Sequence, residues 1–484
     1  MTTIFDKSEQ GKTGTSFKEE TFAEVTPEEE LDDRLLRSDE PGLPEVSQPE
    51  LIRHYTELSK KNYGVDDGLY PLGSCTMKHN PKPMEDLAKY SRFQNQHPLA
   101  SEDLVQGNLE LMYELGEMLK SISGMAGIAL QPAAGAHGEL TGMLMIRKYH
   151  EDNGELDQRR EILLPDSSHG TNPASAAVAG FDAMEIESNE EGTVDLEQLR
   201  SAAGDTTAGI MLTVPNTLGI FETDITEIAE IVHDAGGLCY FDGANLNAFL
   251  GRVRPGDIGM DITHFNLHKT FSTPHGGGGP GAGPVGVNRK LVPYLPVPTV
   301  EKNEDGYEFS YDKSRSIGKV NSFSGPFGIM VKAYSYIKAL GDEGLREVSG
   351  NAVLNANYLK QQLKNAYRVA YEGLCKHEFV LSGSGVGEGI KTVDIAKRLL
   401  DYGFHPPTVY FPLIVKEALM VEPTETEPKE ALDEFAEAML SIAEEASEDP
   451  ELLHEAPKTT PVGRLDETKA AREPVLRWRK EDRD

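Results

Sequence analysis

Four groups of residues along the middle of this chain have the types needed to handle a carbonyl, an anion and an electron pair. Lys269 stands in Asn266-Leu267-His268-Lys269-Thr270-Phe271, and a glycine-rich run, Gly276 to Gly279 with Gly281 and Gly283, follows it. A primary amine on a strand rim can form a Schiff base, and glycines let backbone N–H groups crowd a flat or anionic ligand. Asp242 ends the apolar run Cys239-Tyr240-Phe241. A buried carboxylate there needs a cationic or strongly donating partner, or it gives up its charge. His169 lies in Pro165-Asp166-Ser167-Ser168-His169-Gly170-Thr171, where an imidazole can lie on an aromatic ligand or move a proton. Ala134-Gly135-Ala136-His137-Gly138 precedes a helical composition, so its N–H groups favour an anion such as phosphate. No Gly-Lys-Ser/Thr follows, which excludes a Walker A loop.

Each feature alone has an ordinary reading: a solvated pair, a turn, a loop histidine, an N-cap. Their order is more specific. A phosphate cradle, a stacking histidine, an aspartate for a protonated pyridine nitrogen and a lysine for an aldehyde describe a pyridoxal phosphate site. Asn216 and Thr217 add hydrogen-bonding groups at a further strand tip.

The pattern around these residues predicts the scaffold. Strands are expected at Glu161–Leu164, Ala183–Ile186, Gly209–Val214, Cys239–Asp242 and Thr263–Leu267, and helices at Glu139–Tyr149, Asp195–Ala203 and Ile225–Ala235. Such alternation means an α/β fold, a mostly parallel sheet with helices on both faces and ligands beyond the carboxyl ends of its strands. Gln131–Gly138 reads as a loop. Further strand and helix patterns are Val285–Val287, Phe327–Asn365, Thr392–Leu400 and the acidic Pro428–Ala446. The expected organisation is an N-terminal arm and helical segment (1–100), a large cofactor-binding domain (101–330), a small α+β domain (331–450) and a tail (451–484). Ser47-Gln48-Pro49-Glu50 reads as a helix start, and Trp478, in Pro474–Trp478, as a docking residue of the tail.

Composition limits the partners. Asp and Glu number 80 against 47 Lys and Arg, a formal charge of −33. A surface this acidic argues against nucleic acid and anionic membranes, and suggests a halophile. Three separated cysteines exclude a disulfide scaffold and a cysteine zinc site, and no metal ligand set is assigned. No window is long and apolar enough for a membrane helix, and the first residues lack an apolar signal core, so cytoplasm is the expected location.

The order of the motifs resembles the aspartate-aminotransferase-like, fold type I pyridoxal-phosphate enzymes. The wording resembles the glycine cleavage system P-proteins (glycine dehydrogenase, decarboxylating), in particular subunit 2. The stretches that carry it include Pro71-Leu72-Gly73-Ser74-Cys75-Thr76-Met77-Lys78, Gln131 to Glu139, Asp166 to Ser175, Asp242-Gly243-Ala244-Asn245, Asn266 to Phe271, Tyr402 to Thr408 and Glu422-Pro423-Thr424-Glu425. The resemblance implies that Lys269 carries the cofactor and Asp242 binds its ring nitrogen, with His169 on one ring face and Ala244 on the other. Ala134, Gly135, Ala136 and His268 would contact the phosphate, and Asn216 the 3′-oxygen. It further implies decarboxylation of glycine and transfer of an aminomethyl group to the lipoyl arm of H-protein. Subunit 1 would be the partner, in a heterotetramer of two of each, with T-protein and dihydrolipoyl dehydrogenase as further system members. Ser74, Cys75 and Thr76 become a candidate substrate or partner loop, and Gly276 to Gly283 a pliable wall for the lipoyl arm. Val214 stands where the family leads one to expect asparagine.

Two other functions compete. An aminotransferase or a glycine/serine aldolase would keep the cofactor, but a transaminase ordinarily uses a small-domain arginine, and residues 370–450 hold only Arg398. A non-catalytic assembly subunit would be expected to lose the lysine or the aspartate, and both are present.

Overall fold

A computed structural model describes residues 2–14, 26–39, 41–276 and 281–477. It divides into two compact units, Met1–Gly64 and Val65–Asp484. In the first, Ser47 and Glu50 form a reciprocal capping box with proline in the first turn, and the helix Gln48–Ser59 follows. Trp478 and residues 277–280 of the glycine run lie outside the described residues.

The second unit is built on a seven-stranded sheet of order β1-β7-β6-β5-β4-β2-β3. Its strands are β1 (Gly127–Ala129), β2 (Glu161–Pro165), β3 (Asp182–Ile186), β4 (Thr207–Thr213), β5 (Leu238–Asp242), β6 (Ile262–His264) and β7 (Val285–Val287). Strand β7 runs antiparallel to both β1 and β6, and the pairs among β2 to β6 are parallel. Strands β4 and β5 are buried along their full length, as expected where helices cover both faces. The helix Gly135–Asp152 comes so close to β5 that a Cβ on Gly142 would meet the Tyr240 ring at 2.1 Å. Only glycine allows that approach. A hairpin, β8 (Thr299–Lys302) with β9 (Tyr307–Ser310), follows β7 and had no clear signal in the sequence.

A second, antiparallel sheet of order β10-β11-β13-β12 comprises β10 (Arg368–Val369), β11 (Phe379–Ser382), β12 (Thr408–Val409) and β13 (Ala418–Val421). The helices Thr392–Asp401 and Lys429–Glu448 supply its core. The long helix Phe327–Leu363 serves both cores. Met330, Val331 and Ile337 pack with the large sheet, and Ala356, Leu359 and Leu363 with the small one. Its kink falls at Gly341, whose φ of 60° suits glycine.

Two expectations need correction. The strand expected over Thr263–Leu267 stops at His264, and Leu267–Thr270 forms one helical turn. The apolar run misleads because Phe265 and Leu267 still pair like strand residues, donating to the carbonyls of Pro284 and Ala282. Lys269 therefore sits on a turn of helix beyond the strand. The loop expected over Gln131–Gly138 also ends early, since the helix already begins at Gly135. Ala134 is its N-cap, and Gly135 and Ala136 are its first turn.

Candidate active site

Five connections meet at the carboxyl edge of the parallel strands, and each carries one sequence-predicted group. The loop after β1 leads into the helix at Gly135. The segment after β2 holds His169, that after β4 holds Asn216, that after β5 begins at Asp242, and that after β6 holds Lys269. This is where an open α/β sheet collects ligands.

Asp242 is almost completely buried at the tip of β5. Its Oδ2 accepts from Asn172 Nδ2 and Thr213 Oγ1, both at 3.1 Å, and its Oδ1 from the Ala244 N–H at 3.0 Å. His264 Nε2 lies 3.4 Å from Oδ1. Burial opposes the charge, but His264, His169 and these donors hold the carboxyl below its ordinary value. His264 itself is pushed down, mainly by burial, against the pull of Asp242.

Lys269 is buried, and its Nζ donates to the Ser74 carbonyl at 2.7 Å. His169 is kept neutral at ordinary pH, because burial and the charge of Lys269 lower its pKa against the pull of Asp242. Its Nδ1 contacts Thr171 Oγ1 at 2.8 Å, and its ring meets Phe411 edge-on at 6.0 Å. Ala244 is buried beside Asp242.

The anion corner is the start of the helix Gly135–Asp152. Ala134 offers no side-chain acceptor to cap it. Its first-turn N–H groups are left for an external acceptor, and the helix dipole favours a negative one. His268 lies beside Gly281, where a Cβ would meet its ring at 2.0 Å. Its imidazole is pushed down to about 3 by burial, then by Lys269 and His275, so it acts as a neutral hydrogen-bonding ring.

Asn216 is committed to its own loop. Its Nδ2 donates to Gly192 O at 2.7 Å, and its Oδ1 accepts from the N–H groups of Leu218 and Ile220 at 3.1 Å. Only its second amide hydrogen is left for the 3′-oxygen contact expected of it.

The Ser74–Thr76 loop packs against the lysine and ties it to the small sheet. The Ser74 N–H donates to Glu378 Oε2 at 2.7 Å, and Thr76 donates through N and Oγ1 to Glu422 at 2.9 and 2.6 Å. His275 Nε2 donates to the Cys75 carbonyl at 2.9 Å. Ser74 and Thr76 adopt positive φ of 63° and 49°, a conformation that buried donor–acceptor pairs must hold in place. Glu378 and Glu422 are fully buried and both pushed up, by burial and, for Glu378, by Glu422's charge. His377 is buried beside them, 3.6 Å from Glu378 and 3.9 Å from Glu422. Lys78 forms a buried pair with Glu425 at 2.6 Å and donates to the Thr270 carbonyl at 2.9 Å.

Sequence reasoning on the residues alone missed Glu139, Thr213, His264, His377, Glu378 and Glu422. Glu139 and Glu422 stand inside resembling stretches, but charge on an apolar background was the only signal of their burial. Arg398 is no free carboxylate binder. It pairs with Glu445 through Nε and Nη2, both at 2.9 Å, and with Asp401 at 3.1 Å.

Comparison with known proteins follows the same division. Residues 142–278 match the family model of class-V aminotransferases, and residues 348–457 match the glycine dehydrogenase, C-terminal domain. The probable glycine dehydrogenase (decarboxylating) subunit 2 of Caldanaerobacter subterraneus subsp. tengcongensis is 59% identical over 478 residues, covering 99% of this chain and 98% of that relative. The protein of the same description from Bacillus cytotoxicus is 56% identical over 478 residues, covering 99% and 97%. Among solved structures, an inhibitor-bound glycine decarboxylase (P-protein) of the glycine cleavage system aligns with a TM-score of 0.71 at 21% identity, covering 86% of this chain and 93% of that one. Lactobacillus brevis glutamate decarboxylase aligns with a TM-score of 0.65 at 14% identity, covering 86% and 96%. These two show the shared fold, that of a fold type I pyridoxal-phosphate enzyme. Identity over almost the whole length places the chain in the family of glycine dehydrogenase (decarboxylating) subunit 2.

Proposed function

We propose that this chain is the cofactor-bearing subunit of a glycine decarboxylase of the glycine cleavage system, acting through pyridoxal 5′-phosphate. One observation carries the reading: Asp242 is buried with its charged form favoured, no Lys or Arg contacts it among the described residues, and the Lys269 amine stands on the next strand connection. That carboxylate fits a protonated ring nitrogen. The uncapped helix start at Gly135 fits a phosphate, and the neutral His169 fits a ring face.

In this reading Lys269 carries the cofactor through its amine and Asp242 binds the ring nitrogen. His169 and Ala244 enclose the ring, while Ala134, Gly135, Ala136 and His268 hold the phosphate. The bound cofactor supplies a positively charged ring that accepts the electron pair left when the carboxylate of glycine departs as carbon dioxide. The chain's part is to keep that ring protonated through Asp242, to orient the amine through Ser74, and to exclude water by burying both groups.

The partners belong to the same proposal. Subunit 2 naming implies a subunit 1, and we assign a heterotetramer of two of each, with lipoylated H-protein accepting the aminomethyl group and T-protein and dihydrolipoyl dehydrogenase completing the system. Ser74, Cys75 and Thr76 are the proposed substrate or partner loop, and the domain limits expected from sequence are kept as part of this reading. No described helix is long and apolar enough to cross a membrane; cytoplasm is the proposed location. The excess of acidic residues is read as a surface suited to high salt, and stability that fails to rise with added potassium chloride would refute it.

Borohydride reduction followed by peptide mapping tests the cofactor assignment. The label is expected on the peptide containing Lys269, and label on another lysine overturns it.

A further inference from the structure

We propose that Glu139 decides which ring nitrogen of His169 carries the proton, acting through the hydroxyl of Thr171. His169 Nδ1 lies 2.8 Å from Thr171 Oγ1, and that oxygen lies 2.7 Å from Glu139 Oε1. Ser175 Oγ donates to the other carboxyl oxygen at 3.0 Å. A hydroxyl has one proton, so Thr171 can donate toward only one end of this chain at a time.

Two arrangements satisfy the contacts between Glu139, Thr171 and His169 Nδ1. When Glu139 is a carboxylate, Thr171 donates to it and accepts the Nδ1–H of His169, which leaves Nε2 as a bare acceptor. When Glu139 is a carboxylic acid, it donates to Thr171, Thr171 donates to Nδ1, and Nε2 carries the ring proton. The change takes up one proton: Nε2 gains it from solvent, the Nδ1 proton passes to Thr171 and the Thr171 proton to Oε1, so two hydrogen bonds reverse and the imidazole stays neutral in both states. The backbone N–H of Thr171, 3.3 Å from Nδ1, favours the second arrangement. The switch needs a carboxyl that can exist in either form, and the surroundings of Glu139 provide one.

Glu139 is buried on the helix that packs over β5. Burial first, and the charge of Asp242 second, push its carboxyl up to about 7, against the hydrogen bonds from Thr171, Asn172 and Ser175. Tyr240 on β5 also faces it, its phenol held neutral by burial. His264 stands on the far side of Asp242, and the charge of Lys269 acts on His169. A cation on Asp242 would relieve the repulsion that Glu139 feels, so occupation of the aspartate favours the carboxylate form and the bare Nε2. The consequence for catalysis rests on His169 facing the cofactor. The proton arrangement itself does not.

The test uses the full chain labelled with nitrogen-15 in histidine, with and without pyridoxal phosphate. The His169 resonances are identified by their loss in His169→Asn and followed across neutral pH. The two ring nitrogens are expected to exchange shifts with a midpoint near 7 in the free chain, and at lower pH with cofactor. Glu139→Gln has no proton to lose and Thr171→Val breaks the relay, so both should hold the shifts constant. An exchange that persists in either folded variant overturns the proposal, as does no exchange in the unmodified chain. If Glu139→Gln does not fold, Thr171→Val alone decides. A merely structural role for Glu139 would lower stability and leave the pH dependence in place. Borohydride labelling of Lys269 checks the cofactor reading separately.

Discussion

Lys269 and Ser74 are joined by a 2.7 Å hydrogen bond from the lysine amine to the serine carbonyl, across 195 residues of chain. The same serine gives its N–H to Glu378, so one peptide segment links the amine of the large sheet to a buried carboxyl of the small one. The two glutamates come together because Phe379 and Val421 are register partners in neighbouring strands, and Glu378 and Glu422 are their outer neighbours. A disturbance in the small sheet should therefore reach Lys269 through the loop.

That link predicts a contrast between two variants. Glu378→Gln keeps an acceptor for the Ser74 N–H and mimics a protonated acid, so stability should change by less than about 1 kcal/mol. Glu378→Ala leaves that N–H buried and unpaired, and should cost about 1–3 kcal/mol. Urea unfolding of the two proteins checks the difference, and equal losses would break the link.

The Lys78–Glu425 pair holds the other end of the loop. Lys78→Met strands a buried carboxylate and should cost about 3–5 kcal/mol, whereas Lys78→Met with Glu425→Leu should recover much of it. A double-mutant cycle measured by denaturant unfolding separates the pair from simple packing.

Glu139 gives stability a distinctive pH dependence. Its folded carboxyl titrates at about 7 and the ordinary value is 4.5. Between these values the folded chain holds a proton that the unfolded chain has released, so this group's contribution is complete below 4.5 and is lost as pH rises through 7. Glu139→Gln should gain on the unmodified chain across that window, with a slope of at most about 1.4 kcal/mol per pH unit, and then level off. Unfolding free energies at a series of pH values show the sign.

Asp242→Asn removes the carboxylate that meets the ring nitrogen. Losing the buried pair at about 3–5 kcal/mol means roughly 150- to 4,000-fold weaker cofactor binding. Equilibrium dialysis of pyridoxal phosphate measures it, and unchanged affinity would remove Asp242 from the site.

The large sheet was legible because its signals are local. Apolar runs at β2, β4 and β5, each followed by a chemically distinctive loop, give those strands and the positions of His169 and Asp242 at their ends, whereas the order of the strands in the sheet was not read from the sequence. Errors arose where pairing across the chain overrides pattern, as at His264–Leu267, where contacts with Pro284 and Ala282 continue an apolar run beyond the strand. The second tier of the site was illegible for a related reason. Nothing near Glu378 or Glu422 in sequence announces that an antiparallel register will bury them together beneath Ser74 and Thr76, and Glu139 looks like any helical glutamate until Thr171 is placed against it.

Exchange of labelled carbon dioxide into the carboxyl group of glycine tests the central claim most directly. With a subunit 1 chain, lipoylated H-protein and pyridoxal phosphate supplied, the exchange should proceed with the unmodified chain and disappear with Lys269→Ala. No exchange in the complete mixture, or exchange undiminished by Lys269→Ala, would contradict the account.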